Sequence, residues 1–134
     1  MAAFFLDTNH ASPLVTLHHP MRARFFRARR TGDSFAVSAP VIAETVCGLG
    51  VIRRAEENLE EWERLLPLFE VCLLDEIDGR FAAELQLQLR RSGRQLDTVD
   101  ALTAAVALRY GLTLLTTDGD FSAVPELLQE NWLA

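Results

Sequence analysis

Asp7, Glu44, Asp100 and Asp118 are the residues of this chain whose type and placement could do chemistry. Ala3-Phe4-Phe5-Leu6 runs into Asp7-Thr8-Asn9, and Leu112-Thr113-Leu114-Leu115-Thr116 runs into Thr117-Asp118-Gly119-Asp120. Short apolar runs bounded by turn formers read as buried strands. An acid at a strand's carboxyl end lies where open α/β sheets bind their ligands. Parallel strands would put Asp7 and Asp118 on one rim. Glu44 interrupts an apolar helical turn, Val41-Ile42-Ala43-Glu44-Thr45-Val46, and Asp100 falls in the first turn of an apolar helix expected to open at a Thr98 cap. Carboxylates gathered on one rim repel unless a cation joins them. An all-oxygen donor set suits a hard divalent ion, Mg²⁺ or Mn²⁺, that keeps several waters. One such ion, or a pair about 3.5–4 Å apart, activates water and steadies the leaving oxygen of a phosphodiester.

Neighbouring polar residues suit supporting work. Thr8 and Thr116 are placed to position water or a ligand carboxylate, Asn9 to bond Asp7 or Asp118, and Asp120 to serve as an outer ligand. Each acid also has a plain structural reading: Asp7 and Asp118 as turn acids, Asp100 as a complement to a helix dipole, Glu44 as a solvated side chain. Convergence on one rim favours the site. Asp97 is read as preceding the Thr98 cap. His10, His18 and His19 read as residues of a helix end and loop. Cys47 and Cys72 read as small buried apolar groups with neither metal spacing nor a disulfide framework.

The elements that must carry these residues alternate. Residues 3–6 read as a strand, 10–30 as two short helices with Pro20 opening the second, 34–38 as a strand, and 40–50 as a helix ending near Gly48 or Gly50. Residues 54–66 form a charged helix with Leu59, Trp62, Leu65 and Leu66 as its apolar face. A strand over 69–74, a long helix stopping near Gly93, the apolar helix from Thr98 to Gly111 and the strand at 112–116 come next. A short helix around Val124–Gln129 and an edge strand at Asn131-Trp132-Leu133 close the expected order. This alternation predicts an α/β fold, a three-layer α/β/α sandwich on a mostly parallel sheet. A length of 134 residues suits a single domain, 1–134, large enough to bury a core.

Bulk composition narrows the function classes. Hydrophobic residues make up 49% of the chain, against disorder. No apolar run reaches the roughly 18 residues of a membrane span, the N-terminus lacks a basic-then-apolar leader, and the two cysteines fit a reducing cytoplasm. The net charge of −6 argues against a general nucleic-acid binder. All 13 basic residues are Arg, whose planar fork suits phosphate. Arg22, Arg24 and Arg27 lie in the densest Arg cluster and are candidates for contacts to a phosphate backbone. A basic rim around a cation-filled acidic cleft is compatible with the overall acidity.

Taken in order, these motifs resemble the PIN-domain ribonucleases. Leu6-Asp7-Thr8-Asn9 is similar to that family's opening, and Ala43-Glu44-Thr45-Val46-Cys47-Gly48 to its Glu-x-x-x-Gly helix. Val99-Asp100-Ala101-Leu102-Thr103-Ala104-Ala105 resembles its third acidic motif and Thr116-Thr117-Asp118-Gly119-Asp120-Phe121 its fourth. Thr103 departs from an often aliphatic position and leaves the acids untouched. The resemblance covers nearly the whole chain, and the length suits the VapC-type toxins of bacterial toxin–antitoxin pairs. It implies Mg²⁺- or Mn²⁺-dependent RNA cleavage, with Asp7, Glu44, Asp100 and Asp118 at the metal. It also implies a homodimer and neutralisation by an antitoxin protein. Two rivals remain: a phosphatase of the haloacid dehalogenase type, which wants an Asp where Asn9 stands, and a non-catalytic PIN-fold binding module.

Overall fold

The computed structural model describes residues 1–134. Five parallel strands form one sheet in the order β3-β2-β1-β4-β5. These are β1 (Ala3–Leu6), β2 (Ser34–Ser38), β3 (Glu70–Cys72), β4 (Thr113–Leu115) and β5 (Gln129–Glu130). The helices are α1 (Thr8–Ala11), α2 (Pro20–Arg30), α3 (Ala39–Gly50), α4 (Ala55–Leu65), α5 (Glu76–Arg91) and α6 (Thr98–Tyr110). The architecture is the expected α/β/α sandwich, and its sheet is wholly parallel rather than mostly so. Because every strand runs the same way, the ends of β1 and β4 meet on one rim. The register Leu6↔Leu115 puts Asp7 level with Thr116.

The chain forms these elements for local reasons. The two central strands are nearly continuous apolar runs, as a parallel sheet covered on both faces requires. Pro20 opens α2 and Pro40 sits in the first turn of α3, where a missing N–H costs nothing. An aromatic slab fills one face. Phe4 stacks on its register partner Phe35 at 5.4 Å, Phe25 of α2 lies 4.6 Å from Phe35, and Trp62 of α4 lies 6.0 Å from Phe69. Helix α6 carries buried alanines and Val106 on most of its circumference and pairs with α5. No helix is long and apolar enough to cross a membrane.

Four expectations need correction. Asp97, not Thr98, caps α6: its carboxylate accepts the backbone N–H of Asp100 at 2.8 Å. No helix spans Val124–Gln129. A 3-10 turn at Gly119–Ala123 takes its place, and Pro125 with Glu126 at φ 64° stops it from continuing as a helix. The last strand is Gln129–Glu130, while Trp132 points its amide elsewhere, at a histidine. Cys47 is exposed and Cys72 half-buried, because the buried stripe of α3 runs through Val41, Thr45 and Leu49 and leaves Cys47 on the other side.

Candidate metal centre

Asp7 is held by three donors. It caps α1, its Oδ1 accepting the Thr8 N–H at 2.9 Å, and its Oδ2 accepts Thr116 Oγ1–H at 2.8 Å and Asn9 Nδ2–H at 3.2 Å. Thr116 in turn accepts the Asp118 N–H at 3.0 Å. Asn9 Nδ2 also reaches Thr116 Oγ1 at 3.4 Å, and Asn9 Oδ1 takes the Thr117 N–H at 3.2 Å. Two strand ends are thus tied by a polar lattice whose members are 107–109 residues apart in sequence. Thr8 contributes its backbone to this lattice, while its hydroxyl is buried without a partner.

Asp118 caps the 3-10 turn through a bond from the Asp120 N–H to its Oδ1 at 2.9 Å. Around that bend, carboxylate oxygens of Asp100, Asp118 and the exposed Asp120 all lie within 4.8 Å of one another. Three hard oxygen donors at that spacing fit one divalent cation with water completing its shell. The charge of Asp7 also acts on Asp100. Glu44 projects, exposed, from α3, and its charge reaches Asp100.

The electrostatics confirm that the acids share one field. Asp100 has its pKa pushed up to about 7, first by burial, then by the charges of Asp97, Asp7, Asp118 and Glu44. No hydrogen bond reaches its carboxylate, in contrast to Asp7, Asp97 and Asp118, each of which accepts a backbone N–H. A carboxyl desolvated among like charges and left without donors holds its proton to neutrality, or exchanges it for a cation.

The Arg candidates lie differently. Arg22 is turned inward, its Nη1 donating to Leu14 O at 2.7 Å and its Nη2 reaching Glu61 at 3.4 Å. Arg24 lies 4.0 Å over the Trp132 ring. Arg27 lines an open cleft of about 450 Å³ with Phe4, Asp33, Glu130 and Trp132. Arg27 lies in the last turn of α2, beside the start of β2, so it is not on the acidic rim.

Asp97, expected on the rim ahead of the cap, adds its charge there from the cap position itself, and one contributor escaped the sequence reading. His10 is fully buried, its ring bonding Asn9 and the Trp132 amide, and burial together with the Arg24 charge lowers its pKa to about 4. His18 is exposed and His19 caps α2 through its Nδ1.

Comparison with known proteins agrees with this geometry. Residues 4–127 match the PIN domain family model. The chain is 25% identical over 130 residues to ribonuclease VapC2 of Rickettsia felis, covering 96% of this chain and 97% of that protein. It is 34% identical over 100 residues to the plasmid stability protein StbB of Pseudomonas syringae pv. tomato, 68% of this chain and 70% of the relative. The crystal structure of VapBC2 from Rickettsia felis, bound to a promoter DNA fragment, superposes with a TM-score of 0.83 at 24% identity, covering 97% of this chain and 98% of that one. That last likeness speaks to the fold, whereas the family model spans all four acidic motifs: the chain belongs to the PIN domain family.

Proposed function

We propose that this protein is a divalent-metal-dependent endoribonuclease, the toxin of a toxin–antitoxin pair. The observation that carries the reading is the convergence of Asp100, Asp118 and Asp120 within 4.8 Å, beside Asp7 and Glu44, with the Asp100 proton affinity raised by its neighbours. The similar ribonuclease VapC2 supports RNA as the substrate. PIN nucleases generally use divalent ions, and the donor set here, all carboxylate oxygen, fits Mg²⁺ or Mn²⁺, one ion or two. Asp100 and Asp118 would hold the ion, with Asp7 and Glu44 binding directly or through water and Asp120 as an outer ligand. When bound, the ion supplies water activation and charge neutralisation at the scissile phosphate.

The residues of the chain do the rest. Thr116 and Asn9 both donate to Asp7 Oδ2 and so fix the orientation of its carboxylate. Ionised Asp7 and Asp118 repel a substrate phosphate until a cation is present, which makes metal loading a condition for RNA binding. Cleavage is expected to leave a 5′-phosphate and a 3′-hydroxyl. None of the three Arg candidates faces the proposed centre: Arg22 and Arg24 already have partners, and Arg27 lies off the acidic rim. A second copy of the chain and an antitoxin protein are the expected protein partners, the antitoxin being supported by the VapBC toxin–antitoxin assemblies among the structural relatives. The phosphatase alternative gains nothing from the geometry: Asn9 occupies the position of the required acid and serves as a donor to Asp7.

The test is Asp7→Asn. The variant should fold, since Asn also caps helices, and should lose RNA cleavage in Mn²⁺. Cleavage at the wild-type rate by the purified variant would refute the scheme. Absence of Mn²⁺ binding by the wild-type chain in calorimetry would instead favour a non-catalytic module.

A further inference from the structure

His10 is fully buried, and both of its ring nitrogens are engaged. The backbone N–H of Trp132 donates to Nε2 at 3.0 Å, and an amide N–H can only donate. Nε2 is therefore the bare nitrogen of the neutral ring, and Nδ1 carries the proton. That proton is donated to Asn9 Oδ1 at 2.7 Å. With Oδ1 occupied by His10 Nδ1–H and Thr117 N–H, the Asn9 amide has one workable orientation: Nδ2 toward Asp7 Oδ2 and Thr116 Oγ1. A flipped amide would set oxygen against carboxylate oxygen and lose both bonds. Trp132 is itself fixed: its ring stands edge-on to Phe4 at 4.9 Å and Phe35 at 5.9 Å, lies under the Arg24 guanidinium, and donates Nε1–H to Glu130.

We propose that His10 is a positioning residue for Asp7: the Trp132 amide sets its tautomer, the tautomer sets the Asn9 amide, and that amide aims the carboxylate at the ion. The inference rests on the assignment of Asp7 to the metal, and it adds a partner outside the acidic motifs. It also ties the segment after β5 to the rim through one hydrogen-bonded path, although His10 and Trp132 are 122 residues apart.

Two substitutions separate positioning from simple space filling. Asn at position 10 retains a donor near the Nδ1 site and loses the acceptor for Trp132. Gln retains an acceptor near the Nε2 site and loses the donor to Asn9. A filler role predicts that both variants lose stability and keep the affinity for Mn²⁺. The positioning role predicts that His10→Gln binds Mn²⁺ about tenfold more weakly while His10→Asn stays within about twofold of wild type, the low end of the effect of a group behind a ligand because Thr117 N–H still holds Asn9. Calorimetric titration of the full chain with Mn²⁺ reads this directly. Equal affinities for His10→Gln and wild type would overturn the proposal and leave the metal centre standing. Failure of the wild type to bind Mn²⁺ would remove the centre itself, and the proposal with it. Should His10→Gln not fold, ¹⁵N NMR of the wild-type imidazole decides: a protonated Nδ1 and a bare Nε2 are expected, and the opposite tautomer overturns the proposal.

Discussion

Asp100→Asn should make the ion-free protein more stable at mildly alkaline pH, although it damages the proposed centre. The Asp100 pKa is raised from 3.8 to about 7. A carboxyl whose pKa is higher in the folded than in the unfolded chain binds its proton more tightly when folded. Its contribution is therefore complete below about pH 4 and is lost as the pH rises through about 7. A gap of about 3 units corresponds to a ceiling of about 4 kcal/mol. The side chain is only partly buried, and solvent screening brings that to about 2 kcal/mol. Asn also forfeits an acid in the first turn of α6, about 0.5 kcal/mol. The net gain is about 1–1.5 kcal/mol, or roughly 3–7 °C in Tm for a domain of this size. Thermal unfolding in EDTA at about pH 8 and again at about pH 4 measures it, and the gain should vanish at the lower pH. Saturating Mn²⁺ should reverse the order, since ion at about 100 times Kd adds about 2.7 kcal/mol to the wild type alone. A variant no more stable than wild type at the higher pH in EDTA would refute the account of a strained acidic rim.

Thr116→Ala removes the hydroxyl that donates to Asp7 and accepts from Asp118, and should weaken Mn²⁺ binding about tenfold, with Thr116→Ser restoring it. Asp97→Asn keeps a good cap while deleting a charge, so the Asp100 carboxyl, followed by ¹³C NMR, should titrate below its wild-type midpoint with little change in Tm. An unmoved midpoint would contradict the assigned coupling. Arg27→Glu, in the last turn of α2 and off the acidic rim, should leave RNA cleavage and Tm close to wild type. Arg22→Glu should instead lower Tm, because that guanidinium satisfies Leu14 O and pairs with Glu61.

The parts of the fold that are legible in the sequence and the parts that are hidden divide along physical lines. β1 and β2 are legible residue for residue, because an apolar run flanked by turn formers has few alternatives. The rim acids are legible because strand ends and first helical turns are marked locally. Thr98 and Asp97 cannot be ranked by propensity alone, since Thr and Asp are both good caps; the choice falls to the bond that Asp97 makes with Asp100. The segment after Asp118 misleads because its apolar residues pack individually: Phe121, Val124 and Leu127 are all buried, at a spacing of three that mimics a helix, while Glu126 at positive φ forbids one. His10 and Trp132 are opaque for another reason: their bond joins the two ends of the chain, and no local pattern reports it.

The fold also explains why so many acids can stand together in a protein of net charge −6. Asp7 caps α1, Asp97 caps α6 and Asp118 caps the 3-10 turn, so three of the carboxylates lie against backbone N–H groups that partly offset their charge. The cap consumes one oxygen of Asp118 and leaves the other free for the rim. Asp100, in the first turn of α6 and without a donor, bears the repulsion that the caps do not absorb, and it is the acid whose proton affinity rises. A rim built this way offsets part of its own repulsion through the caps, yet retains one carboxyl that gains by exchanging its proton for a cation. Metal binding should therefore release about half a proton from Asp100 at pH 7, and close to one as the pH falls toward about 6, coupling ion occupancy to pH through the residue that the fold leaves unsatisfied.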